Sequence, residues 1–266
     1  MVTVPFLSKY RKPSVSVIRL HGMIAPGTAP RLNDSVLAPV IEAAFRKGRP
    51  KAVALAINSP GGSPAQSSLI AARIRRLAGE HGIPVHAFVE DLAASGGYWL
   101  ATAADDIWLD DNSIVGSIGV ISASFGFHDL IARHGVERRV HTAGARKALL
   151  DPFRAEDPDD VARLKGWQAQ IHAAFIAQVR SRRAGRLDEG AELFEGDAWV
   201  GQKAVDVGLA DGIGHLTPKL QALYGEKVRL VPYGPRRSLL GRFGLSLAQD
   251  ALAVAEERAL WARFGA

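Results

Sequence analysis

The run Val53-Ala54-Leu55-Ala56-Ile57 passes without a break into Asn58-Ser59-Pro60-Gly61-Gly62. A short, continuously apolar stretch rich in branched residues, stopped by turn-forming ones, reads as a strand covered on both faces. Comparable runs recur at residues 15–20, 85–89 and 115–121, and helical patterns lie between them at 32–46 and 65–77. This alternation predicts an α/β fold of repeated βαβ units, with a mostly parallel sheet covered by helices and right-handed crossovers. Further on, Asp157-Pro158-Asp159-Asp160 opens an amphipathic helix that runs to about Arg182. Residues 199–208 read as a short helix that returns through Leu209-Ala210-Asp211-Gly212. Leu247, Ala251, Val254 and Trp261 share one face of a last helix behind the linker Pro235-Arg236-Arg237. With no internal repeat, the chain divides into one catalytic domain, 1–234, and a helical extension, 235–266.

Composition removes several classes of chemistry. There is no cysteine among the 266 residues, so a thiolate nucleophile and thiolate metal ligands are excluded. The eight histidines are dispersed without ligand spacing, which predicts no metal, and no motif calls for a cofactor. No stretch is apolar for the roughly 18 residues of a membrane span, and residues 1–13 lack a signal-peptide core. A cytoplasmic protein is expected. Its net charge of +6 suits peripheral contact with an anionic membrane surface. The basic clusters are not interleaved with aromatics, so nucleic acid is not an expected partner.

Two turns stand out. The strand at 53–57 ends in Asn58-Ser59-Pro60-Gly61-Gly62, and the strand at 85–89 is soon followed by Ala93-Ala94-Ser95-Gly96-Gly97-Tyr98. Both fall at carboxyl ends of parallel strands, where open α/β sheets bind ligands. If the strands are neighbours, the amides of Gly62 and Gly96 converge as an oxyanion hole, supported by Gly61 and Gly97. Ser95 then stands at the start of a helix over 98–103. Singly, each turn is more often scaffold than site, because serine caps helices and paired glycines make turns. A base shifts the balance. Lys147, in Gly144-Ala145-Arg146-Lys147, follows Ser95 by 52 residues. A lysine that accepts a proton near pH 7 must lose about 4 kcal/mol of preference for its charged form, which burial away from carboxylates supplies.

In order, Asn58-Ser59-Pro60-Gly61-Gly62, Ala94-Ser95-Gly96-Gly97-Tyr98, Gly116-Ser117-Ile118-Gly119-Val120 and Gly144-x-x-Lys147 resemble signal-peptide peptidase A and its relatives. These are Ser-Lys serine peptidases of Clp/crotonase-like fold. The resemblance covers residues 15–214 and is to the short, single-unit members rather than the tandem ones, with the N-terminal membrane anchor that many of them carry expected to be lacking. It implies Ser95 as nucleophile, Lys147 as general base, Gly62 and Gly96 as oxyanion donors, and Ser117 as the hydroxyl that orients the amine. It also implies a ring-shaped homo-oligomer in which Lys147 of one subunit can serve Ser95 of its neighbour. The substrate would be a peptide or unfolded protein, added as a strand along an edge at residues 116–121 that includes Gly116, Ile118, Gly119 and Val120.

Other readings remain. A crotonase-like acyl-CoA enzyme uses similar glycine turns but needs a carboxylate beside the acyl chain and no serine at the oxyanion turn. A catalytically silent scaffold for a membrane partner is the third. His128, at the start of a helix, reads as structural, and His141 is a weaker rival base.

Overall fold

In the computed structural model, which describes residues 12–27, 31–144, 146–234, 258 and 261–264, three of the apolar runs become strands. These are β1 (Ser14–His21), β2 (Ala52–Ser59) and β3 (Val85–Ala94), and they pair in parallel with β2 at the centre. Helix α1 (Asp34–Arg46) joins the first pair and α2 (Pro64–His81) the second. Their starts are chemically marked. The Asn33 side chain accepts from Val36 N at 3.0 Å, Ser63 does the same for Gln66 N, and Pro64 occupies the first turn. Arg73 on α2 then grips Asp34 at the head of α1 at 2.7 Å, tying the two crossover helices together.

The central strands are buried almost throughout, as their uninterrupted apolar sequence requires. Val15, Val17, Ala52, Ala54, Ala56 and Phe88 face one way and receive Leu220 of α7 (Leu216–Tyr224). The alternate residues face α1, where the Ser16 hydroxyl donates to the Ala44 carbonyl at 2.7 Å.

Past β3 come the six-residue helix α3 (Gly96–Ala101) and the strands β4 (Asp106–Leu109) and β5 (Ile114–Gly116). Helices α4 (His128–Arg133) and α5 (Pro158–Arg182) follow, the second with the bounds its sequence predicts. Then come β6 (Ala198–Val200), α6 (Gly201–Asp206), β7 (Gly212–Ile213), α7 and β8 (Arg229–Tyr233). The principal sheet order is β6-β5-β3-β2-β1-β8, parallel except for β6 against β5. The fold is therefore the expected mixed α/β one with a mostly parallel sheet.

Two local readings need correction. Residues 115–121 do not form one strand: β5 ends at Gly116, because Ser117 takes φ +50° and gives its amide to Asp197 O at 2.6 Å. Residues 199–208 are not one helix either. Their first part is β6, which needs β5 as its partner, and the helix starts only at Gly201.

The chain divides into two compact units. One runs up to Ile118 and resumes at Ile176; the other is Gly119–Phe175. Within the second, Phe127 stacks on Phe153 at 5.4 Å between centroids, and the Arg138 guanidinium covers the other ring at 4.7 Å. The expected helix over 245–264 lies outside the described residues except at 258 and 261–264.

Candidate active site

Strand β3 changes partners along its length. It pairs with β4 over His86–Phe88 and with β5 over Leu92–Ala94, and its register against β2 slips between Ile57 and Ser59. The extra residues Glu90 and Asp91 form a bulge that redirects the strand just before Ser95. Buried Ser113 holds this bend by donating to Glu90 O at 2.5 Å while accepting from Asp110 N at 2.9 Å. Nothing in the local sequence marks Ser113 for this task.

At the end of β3, Ser95 takes φ +51° and ψ −120°, a backbone conformation that residues other than glycine rarely adopt. The turn is held from both sides. Ser95 N donates to Gly116 O at 2.8 Å, and Ser95 O accepts from Trp99 N at 3.0 Å as α3 begins. Ser95 occupies the N-cap position, yet its side chain makes no capping hydrogen bond. The scaffold explanation for this serine therefore loses its main support, because capping is what a scaffold serine does there.

Helix α3 is itself anchored. Tyr98 is fully buried and its hydroxyl donates to Leu209 O at 2.8 Å; burial pushes its pKa well up, so the hydroxyl stays a donor. Arg183, only 2% exposed, fixes the same loop through Gly208 O and Asp211 at 2.9 and 2.6 Å. At the far end of α3, Arg182 donates to the carbonyls of Thr102 and Ala104, both at 2.9 Å. The burial of Arg183 and the half-buried place of Arg182 are visible only in the fold.

The second turn meets the first. The Gly61 carbonyl accepts from Ile24 N at 2.8 Å, and Ser63 N donates to Ile24 O at 2.7 Å. The intervening Gly62 amide is left without a protein acceptor among the described residues. A Cβ on Gly96 would lie 3.4 Å from that amide nitrogen, so the two backbone segments approach closely here. Gly97 permits the approach from the other side, since a Cβ there would overlap Ser59 O. Ser117 follows Gly116, the register partner of Ala94, and its amide donates to Asp197 O at 2.6 Å.

Gly116 and Ser117 are not an open edge. β6 already pairs along β5, so a peptide cannot add there, and Ile118 is fully buried. Gly119 and Val120 belong to the other unit, as do Lys147 and the rival histidines. Within that unit Lys147 follows a turn closed by its own amide on Gly144 O at 3.2 Å, and its side chain is exposed. His128 is exposed beside Asp129, and His141 is exposed as well.

The model for Peptidase family S49 matches residues 78–227, more than half of the chain and the stretch that carries Ser95 and Lys147. The chain belongs to peptidase family S49. Among S49 relatives, Protease 4 of Haemophilus influenzae is 31% identical over 214 residues, 78% of this chain and 34% of that protein. The chloroplastic serine protease SPPA of Arabidopsis thaliana is 30% identical over 204 residues, 76% of this chain and 30% of that protein. A stronger match carries a different name. The Na(+)/H(+) antiporter NhaA of Brucella melitensis is 48% identical over 270 residues, 94% of this chain but 37% of the antiporter. The chain thus spans about a third of the length of these curated relatives. The same fold occurs in a solved S49 structure, a lysine mutant of the 1510-N membrane-bound stomatin-specific protease in complex with a substrate peptide. The match has TM-score 0.54 at 17% identity and covers 87% of this chain and 95% of that one. Among the described residues no helix is long and apolar enough to cross a membrane, and no group of acidic or histidine side chains could hold a metal ion.

Proposed function

We propose that this chain is a serine endopeptidase working through Ser95 and Lys147. The observation that carries the reading is Ser95 itself, held in a strained turn with its hydroxyl free of capping duty beside an unengaged Gly62 amide. In this chemistry Ser95 Oγ attacks a peptide carbonyl and gives its proton to the Lys147 amine. The carbonyl oxygen takes the negative charge under the amides of Gly62 and Gly96. Collapse of the intermediate expels the amine product, which leaves with the proton returned by Lys147. A water deprotonated by the same amine then releases the acyl group. Ser117 Oγ orients the lysine amine. The acyl-CoA reading has no comparable support, since the S49 relatives are named as proteases.

Lys147 is exposed in its own unit, and burial is what favours a lysine amine as proton acceptor, so this chemistry calls for a cover over it. We propose that a ring of identical subunits supplies it. The unit that carries Lys147 leaves Ile121, Phe125, Leu130, Val136 and Val140 exposed, an apolar surface of the kind that assemblies bury. Sedimentation velocity at micromolar concentration is expected to give a multiple of 28.5 kDa. A monomer that hydrolyses peptides would remove the ring from the mechanism.

The substrates we propose are extended or unfolded peptides at the cytoplasmic membrane surface. The names of a membrane-bound protease and an antiporter among the similar proteins support that location, as does the basic charge of the chain. Fluorophosphonate labelling tests the core of the reading. Wild type should be labelled at Ser95, as located by peptide mass spectrometry, and Lys147→Ala should lose at least about 10³-fold in labelling rate. Equal labelling of the two proteins would remove Lys147 as the base, and labelling elsewhere would remove Ser95.

A further inference from the structure

Ser59 is fully buried, and its hydroxyl takes no part in the reaction steps above. It bridges two backbone segments instead. The hydroxyl donates to Gly22 O at 2.7 Å and accepts from Gly61 N at 3.2 Å. Gly61 is where the oxyanion turn meets the nucleophile: a Cβ there would lie 2.7 Å from Ala94 O, 2.8 Å from Gly96 N and 2.9 Å from Ser95 Cβ. The two peptide units that flank Gly61 are held by separate partners. Ser59 Oγ takes the amide of the first, and Ile24 N donates to the carbonyl of the second at 2.8 Å. That second unit also carries the Gly62 N–H, which in a planar trans peptide points opposite to the Gly61 carbonyl. Between the two units only the dihedrals of a glycine can turn, and glycine resists turning least.

We propose that Ser59 is a positioning residue for peptide hydrolysis: its hydroxyl fixes Gly61 and thereby aims the Gly62 N–H at the carbonyl oxygen attacked by Ser95. This rests on the peptidase reading above. A hydroxyl suits the task because it donates and accepts at once, which neither a methyl nor an ionised carboxylate does. Without it the Gly61 amide and the Gly22 carbonyl lose this partner in the interior, so the turn relaxes about Gly61 and the donor leaves its line. The tetrahedral intermediate depends on that donor more than the bound substrate does, so the loss falls on kcat rather than on KM.

The test compares the whole wild-type chain with Ser59→Ala and Ser16→Ala, using N-acetyl-trialanine aminomethylcoumarin as substrate and exhaustive fluorophosphonate labelling to count active sites. Ser16 is the control, a buried serine of the same sheet whose hydroxyl also donates to a backbone carbonyl at 2.7 Å, but toward α1. Ser59→Ala is expected to lower kcat about 10- to 100-fold, less than the loss of a donor outright, with KM within twofold. Inhibition by N-acetyl-trialanine boronate, whose tetrahedral adduct sets an oxygen at the same amides, should weaken by a similar factor. Ser16→Ala should melt below wild type and keep kcat and boronate affinity within twofold. If Ser59→Ala folds poorly, Ser59→Cys, whose thiol is a weak donor and acceptor, replaces it and should lose about tenfold in kcat with KM unchanged. Wild-type kcat in a folded Ser59 variant, a loss confined to KM, or equal losses in Ser59→Ala and Ser16→Ala would overturn the proposal. Failure of wild type to label at Ser95 would instead strike the peptidase reading beneath it.

Discussion

Ser95→Gly is expected to abolish peptide hydrolysis and to raise thermal stability at once. Loss of a serine nucleophile lowers kcat by about 10⁶-fold in the best-dissected serine peptidases, and a similar loss follows if Ser95 Oγ is the attacking atom. The stability change has a separate origin. At φ +51° and ψ −120° a serine carries roughly 1–3 kcal/mol of backbone strain that glycine does not feel. Against this, glycine loses about 0.5–1 kcal/mol more conformational freedom on folding. The balance favours the variant by about 1 kcal/mol, a rise in Tm of about 2–4 °C. Ser95→Ala separates the two effects, because it removes the hydroxyl and keeps the strain. It should be as inactive as Ser95→Gly, with Tm near wild type. Calorimetry on the three proteins decides. A Gly variant melting below the Ala variant would mean that the turn is not strained, and residual turnover near wild type in either would mean that another residue attacks.

Gly62→Ala should be nearly as damaging to catalysis and, unlike Ser95→Gly, harmful to the fold. A Cβ at Gly62 would overlap Ile24 O, and the residue sits at φ +134°, where L side chains are strained. The turn must shift away from Ile24, whose amide and carbonyl now hold Gly61 O and Ser63 N. That shift carries the Gly62 amide off its line toward the reacting carbonyl, and loss of one oxyanion donor lowers kcat by about 10²–10³-fold. The expected result is a fall of at least that size in kcat together with a lowered Tm. Gly79→Ala is the control. Gly79 lies inside α2 with nothing within 4 Å of a new Cβ, so the change should leave kcat alone and stabilise the helix by about 0.5–1 kcal/mol. Full activity in Gly62→Ala would remove this amide from the site.

How much of this was legible beforehand differs from one element to the next. The run at 53–57 could be read because a strand buried on both faces needs apolar residues everywhere, and that demand is local. Helix α5 could be read because its acidic start, its proline and its apolar period all sit within its own residues. Residues 199–208 could not. Ala198–Val200 form a strand only because β5 offers a partner, and three residues carry no period of their own. The run at 115–121 misled for the converse reason. Its apolar content suits a strand, but the sheet edge it would occupy is filled by β6, and the chain must turn away at Ser117.

The candidate site divides along the same line. Residue types and their order raised Ser95, Lys147 and the paired glycines as candidates, since acyl transfer needs an oxygen nucleophile, a base and backbone donors that approach closely. Sequence alone also settled the α/β class and the absence of thiolate chemistry. The fold decided which polar groups are left over: the uncapped Ser95 hydroxyl, the Gly62 amide passed over between two engaged neighbours, and the Trp199 indole. It also decided that Arg183 lies in the interior and holds a loop. Whether a donor is satisfied depends on what folds against it from distant parts of the chain, so no window of sequence contains that information.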